Sequence, residues 1–219
     1  MEKKLNICPY MNDLTPNIIL SKPQLGENIG STARAMKNFG IEKLRLIEPR
    51  DGWPNSSAYA ISAGAGDVLN KINVFKSLEE ATKDISLLFA TTARKRVIGT
   101  KPLDVFEAID KSFHHVVNGG QVGFLFGPEQ SGLSNDDVVQ ADYTISIPLN
   151  QNFSSLNLSH AVQIISYVIK MEIDNIDSTT VLKDETQTFQ DNEYLIDHFD
   201  KVMKLIDFYD QENPKQVRT

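Results

Sequence analysis

The chain has 219 residues, is 41% apolar and contains nine prolines, which suits one large folded domain or a domain with a small appendage. Its one cysteine, Cys8, excludes an internal disulfide and favours a reducing, cytoplasmic setting. The start, Met1–Pro9, lacks the apolar run of a signal peptide, and no segment reaches the roughly 18 apolar residues of a membrane span.

The net charge of −7 argues against a nucleic-acid partner until its distribution is read. Residues 1–101 carry 15 Lys and Arg against 10 Asp and Glu. Residues 102–170 carry 2 against 7, and residues 171–219 carry 5 against 12. The acidic excess therefore belongs to the second half, and local patches rather than the total set phosphate affinity.

In chain order, Asn17–Ser21 reads as a buried strand, followed by a loop over 22–27 and a helix from Asn28 to Phe39 that Gly40 ends. Lys43–Ile47 alternates as a strand, and Ala58–Gly64 reads as a short helix ending in the small-residue run Ser62–Gly66. Ile72–Phe75 is a short strand, Ser77–Lys83 a helix, and Ile85–Ala90 a strong strand that ends at Thr91-Thr92. A basic stripe, Arg94-Lys95-Arg96 with Lys101, follows in a stretch with no acid between Asp84 and Asp104; a solvated loop explains it as well as a phosphate contact does. Pro102–Val117 is helical, Val122–Phe126 a strand, Asn135–Gln140 helical and Tyr143–Ile147 the last strand. From Ser155 to Lys170, apolar residues at 158, 161, 162, 165, 168 and 169 form one face of an amphipathic helix. Residues 173–190 read as a polar linker, and 191–219 as a short acidic tail with one helix over Glu193–Tyr209. Strands alternating with helices define an α/β domain over about residues 14–172, with a mostly parallel sheet flanked by helices.

Three segments carry more chemistry than folding asks of them. Asn28–Arg34 opens a helix, and its Gly30 costs helix stability, which predicts a close approach by something at that point. Phe126–Ser134 is a glycine-rich turn directly after a strand; it lacks the endings of a phosphate loop and the spacing of a dinucleotide fingerprint. Ile145–Ala161 runs from a strand through Pro148 into a helix start that carries Ser155, Asn157 and Ser159, more small polar groups than one cap needs. No Cys/His spacing fits a metal, so none is expected.

In order and position, these segments resemble the three signature motifs of the SpoU/TrmH (SPOUT) family of RNA 2′-O-ribose methyltransferases. Asn28-x-Gly30-x-x-x-Arg34 resembles the first. Gly127-Pro128-Glu129-x-x-Gly132-Leu133 resembles the second, and Ile147-Pro148 with Ser155-Leu156-Asn157-Leu158-Ser159 the third. Pro49–Pro54, Thr91–Arg94 and the third motif are most similar to the TrmJ branch, although Pro128 stands where that branch often has Arg.

The resemblance implies a C-terminal trefoil knot, a homodimer, S-adenosyl-L-methionine as methyl donor, and tRNA as substrate, modified at the ribose of anticodon-loop nucleotide 32. Ribosomal RNA is the alternative substrate, and a non-catalytic RNA-binding paralogue the alternative of another class. By the same resemblance Thr91, Thr92, Ala93, Gly127, Ile147 and Leu156 line the donor site, with Glu129, Ser155 and Asn157 at its edge. Asn28, Arg34, Glu129, Ser155 and Asn157 form the catalytic set, Arg34 reaching the partner subunit's donor site. A guanidinium with a pKa above about 12 is a poor base. Arg34 is therefore expected to anchor phosphate and ribose, with Ser155, Asn157 or water assisting proton loss.

Overall fold

The computed structural model of the chain describes residues 15–92, 102–150 and 152–175. The elements run β1 (Asn17–Ser21), α1 (Gly26–Asn38), β2 (Leu44–Ile47), α2 (Ser56–Ile61), α3 (Gly66–Asn70), β3 (Asn73–Phe75), α4 (Leu78–Thr82), β4 (Leu87–Thr91), α5 (Val105–Val117), β5 (Val122–Phe126), α6 (Asn135–Val139), β6 (Tyr143–Ile145) and α7 (Leu158–Asn175). The strands form one sheet in the order β3-β2-β1-β5-β4-β6, and every pairing is parallel.

The burial of the strands follows from that order. β1 and β5 lie at the centre and are buried at every residue, as strands covered on both faces must be. Alternation along β1 sends Ile18 and Leu20 into one core and Ile19 into the other. The larger core takes α1, α5 and α7 through Ile29, Ala33, Met36, Ile109, Val162, Ile165 and Ile169. The smaller takes Leu78 and Ala81 of α4 with Val138 of α6. Phe89 stacks on Phe124 at 5.1 Å and on Tyr143 at 5.7 Å, tying β4 to both neighbours.

Several boundaries differ from the sequence reading. A separate helix, α3, stands where Gly66 was taken as part of a helix end. β6 stops at Ile145. α7 begins at Leu158, so Ser155 and Asn157 precede it, and it continues to Asn175, three residues into the segment read as linker, with Ile173 buried. The rest of that linker and the acidic tail lie outside the described residues, as do 93–101.

Gly30 does permit a close approach, but by the fold itself. A Cβ there would lie 2.2 Å from the backbone oxygen of Ala58 in α2. The neighbouring Thr32 is fully buried, and among the described residues its hydroxyl has no hydrogen-bond partner. Thr32→Val keeps the shape and removes the unsatisfied group. It is expected to stabilise the domain by about 1 kcal/mol, seen as a thermal midpoint raised by about 2–4 °C. A lower midpoint would mean that the hydroxyl is satisfied in solution.

Candidate active site

The start of α1 is unusual. Its N-cap residue is Leu25, extended in backbone and with no side-chain oxygen to offer the first N–H groups. A carboxylate about a hundred residues away binds the two residues before the helix instead. Glu129 Oε2 accepts from the Gln24 N–H at 2.8 Å, and Oε1 accepts from the Leu25 N–H at 3.3 Å. Negative charge is also favoured at a helix N-terminus. The sheet explains the meeting: β1 and β5 are neighbours with Leu20 opposite Phe126, so the chains leaving these strands run side by side.

Glu129 Oε1 also accepts from Asn28 Nδ2 at 2.7 Å. A carboxylate only accepts, so Asn28 must turn its amide nitrogen toward Glu129 and its oxygen away. That oxygen accepts from Asn157 Nδ2 at 3.1 Å. Asn157 Oδ1 in turn accepts from the backbone N–H of Ser159 at 2.9 Å and from its hydroxyl at 2.7 Å, capping α7. One hydrogen-bonded chain therefore joins all three sequence segments and fixes the orientation of both amides.

Beside this chain lies a cavity of about 280 Å³. It stands over the carboxyl ends of β5, β4 and β6, the place where open parallel sheets hold ligands. Most of its wall comes from two loops, 127–133 and 147–156. The first loop doubles back on itself: the Gly132 N–H donates to the Pro128 carbonyl at 2.8 Å, and Gly132 has φ +65°. A Cβ on Gly127 would lie 2.2 Å from the Leu133 backbone nitrogen, so only glycine fits. Ile147, Leu149, Leu156, Leu158 and Ala161 give an apolar side, and Glu129 is the one charged residue in the wall among the described residues.

Seven of the residues singled out in sequence line this cavity: Thr91, Thr92, Gly127, Glu129, Ile147, Ser155 and Leu156. The hydroxyl of Thr91 donates to the Leu125 carbonyl at 2.9 Å, so it secures β4 to β5. Asn28 and Asn157 stand outside the wall and reach it through Glu129. Arg34 is exposed on α1, six residues beyond Asn28 and about 9 Å further along the helix axis. It makes no hydrogen bond or ion pair among the described residues. Ala93 and the basic stripe of Arg94, Lys95, Arg96 and Lys101 lie outside the described residues. Sequence reasoning singled out the 126–134 turn but carried only Gly127 and Glu129 from it into the site; Pro128, Gln130, Ser131, Gly132 and Leu133 line the cavity too, as do Leu149 and Ser154. Among the described residues, no three His, Cys, Asp or Glu side chains group as metal ligands would.

Fold and cavity together define an α/β domain with a ligand site at the carboxyl ends of its strands. A model of the SpoU rRNA Methylase family matches residues 15–167, and the chain belongs to that family. It is 34% identical over 200 residues to the tRNA (cytidine/uridine/adenosine-2′-O-)-methyltransferase TrmJ of Pseudomonas aeruginosa, covering 87% of this chain and 77% of that relative. Among solved structures, TrmJ from Z. mobilis ZM4 is 40% identical with a TM-score of 0.69, covering 90% of this chain and 84% of that one. A probable methylase family protein from Haemophilus influenzae Rd KW20 is 32% identical with a TM-score of 0.70, covering 91% and 83%.

Proposed function

We propose that this chain is an S-adenosylmethionine-dependent tRNA 2′-O-ribose methyltransferase that modifies nucleotide 32 of the anticodon loop as a cytoplasmic homodimer. The observation that carries this reading is the Glu129–Asn28–Asn157 chain, which sets two oriented amides at the edge of a cavity suited to the donor. TrmJ relatives that match most of this chain support tRNA as the substrate.

The cavity fits the donor in shape and chemistry. The tight turn that requires Gly127 shapes the wall at the end of β5, while Ile147, Leu149 and Leu156 offer an apolar side for a flat heterocycle. Glu129 adds a negative charge where a cationic group is to be held. When bound, the donor supplies an electrophilic methyl group on a positively charged sulfur.

The chain's own residues must then hold the ribose and dispose of the 2′-hydroxyl proton. Glu129 already accepts three N–H bonds, so its task is to hold Asn28 rather than to take that proton. Both ends of the Asn157 amide are engaged as well. Ser155, exposed in the cavity wall and without a hydrogen bond among the described residues, is left to relay the proton, its oxygen taking the 2′-hydroxyl proton as its own proton passes to water.

Arg34 supports the homodimer. Its guanidinium has no partner in its own described chain, and the neighbouring α7 exposes Tyr167 and Met171. Tyr167 meets Phe39, the C-cap residue of α1, edge-on at 5.8 Å, so an apolar patch continues from α7 to the end of the helix that carries Arg34. A second copy seated there covers that patch and brings an arginine to the neighbouring cavity. Among the described residues, no helix is long and apolar enough to cross a membrane.

The reading is tested by mapping ribose methylation on total RNA from cells with and without the protein. One mark in the tRNA anticodon loop is expected to disappear with the protein. A mark lost only from ribosomal RNA would replace the substrate, and no lost mark would favour a non-catalytic RNA binder.

A further inference from the structure

The loop that follows β2 has no part in the donor cavity, yet it is built against the start of α1. The Arg50 N–H donates to the Pro23 carbonyl at 3.0 Å, one residue before the Gln24 N–H that Glu129 accepts. Asn55, which caps α2, presses on the same helix: a Cβ on Gly26 would lie 2.1 Å from its Oδ1. Further along, Gly30 receives the Ala58 carbonyl just as closely. Residues 50–58 are thus held at two points against α1, the helix that carries Asn28, and at a third against the loop before it.

This rigid segment presents an unusual surface. Trp53 and Tyr59 stack, with ring centroids 6.0 Å apart and planes at 22°. The Tyr59 hydroxyl donates to Asn70 Oδ1 at 2.9 Å, fixing the far edge of the ring. One face of the Tyr59 ring is thereby covered, yet the residue remains 39% exposed. Beside the stack, Arg50 is locked to Asp51 through Nε at 2.8 Å and one Nη at 3.2 Å, which leaves its other Nη outside the pair. The hydrogen bond to Asp51, and more weakly the charge of Glu129, raise the Arg50 pKa above its usual value.

A fixed, half-exposed aromatic face beside an oriented guanidinium is the surface that takes an unpaired base and its phosphate. An apolar protein segment would not use the guanidinium, and the loop's attachment ties the surface to the helix that carries Asn28. Resting on the function proposed above, we propose that Tyr59, backed by Trp53, stacks a base of the substrate RNA near the target ribose while Arg50 bonds the adjoining phosphate. Stacking carries most of the contact. The Arg50–Asp51 pair has no net charge and contributes direction rather than long-range attraction.

Trp53 is the sole tryptophan of the chain, so its emission reports this surface directly. The test is a titration of the full chain with a tRNA anticodon stem-loop and no methyl donor, read by Trp53 fluorescence and by gel mobility shift. Saturable quenching is expected. Tyr59→Leu is expected to weaken stem-loop binding by about tenfold, with S-adenosylmethionine affinity by calorimetry as the check that the variant is folded. Tyr59→Phe, which keeps the ring, is expected to recover most of the lost RNA affinity. A Leu variant that binds RNA as tightly as the parent overturns the platform, and so does a shifted stem-loop that leaves Trp53 emission unchanged. Quenching by RNA without methyl transfer on adding donor would retain the platform and overturn the proposed function instead.

Discussion

Glu129→Gln is expected to cut methyl transfer about 100-fold, because a displacement of roughly 1 Å in a positioned group costs about that much. The carboxylate accepts from the Gln24 and Leu25 backbone N–H groups and from Asn28 Nδ2. An amide has only one accepting end. Whichever way Gln turns, it points an NH₂ group at one of these donors, and Asn28 or the start of α1 must move. The donor cavity keeps its other walls but loses the Glu129 charge, which at a partly exposed site is worth about 1 kcal/mol, so donor affinity is expected to fall by no more than about fivefold, far less than transfer. Single-turnover transfer against calorimetric donor binding separates the two effects. Unchanged transfer would mean that Asn28 needs no partner, while lost donor binding would make Glu129 a donor ligand first.

The second large effect concerns Arg34. Arg34→Ala and Gly127→Ala are each expected to lose nearly all activity, for different reasons. The first removes the exposed guanidinium. The second forces a Cβ to within 2.2 Å of the Leu133 nitrogen and opens the turn that shapes the cavity. If Arg34 serves the partner's cavity, a mixed dimer has one complete site, made from the intact cavity of the Arg34→Ala chain and the intact arginine of the other. Random exchange then restores roughly a quarter of the parental activity, since about half of the two-fold dimers are mixed and each has one of two sites complete. No restoration, with mixed dimers demonstrated by differential tagging, would place Arg34 on its own chain's cavity.

The pattern of the fold was legible because strands buried on both faces read as unbroken apolar runs, as residues 18–20 and Val122–Phe126 do. The order of the strands was not, since nothing local in those runs says that β1 lies beside β5. That adjacency is why Glu129 meets Asn28. It also bears on the misplaced start of α1: the helix begins at Gly26 with no capping side chain at Leu25, and the carboxylate that holds the two residues before it comes from another strand's end. Local reasoning fared differently at Asn157. A polar side chain before an apolar-periodic run signals a cap, but three candidates stood close together, and only the structure shows that Asn157 caps α7 while Ser155 is left in the cavity wall. Gly30 taught the converse lesson. Its demand for space was readable, but the occupant is the Ala58 carbonyl rather than a ligand. The Trp53–Tyr59 stack went unread because its partners are brought together by the turn over 49–52 and the first turn of α2, not by a helical or strand period.

The central claim is that the cavity and the chain beside it deliver a methyl group to one ribose hydroxyl. The most direct test uses two synthetic tRNA transcripts, identical except that one carries a 2′-deoxyribose at nucleotide 32, each incubated with the protein and methyl-labelled S-adenosylmethionine. Label is expected in the ribose transcript, as a single 2′-O-methyl group at that nucleotide, and none in the deoxy transcript. Equal labelling of the two would contradict the account, because the methyl group would then be going somewhere other than the hydroxyl the site is proposed to hold.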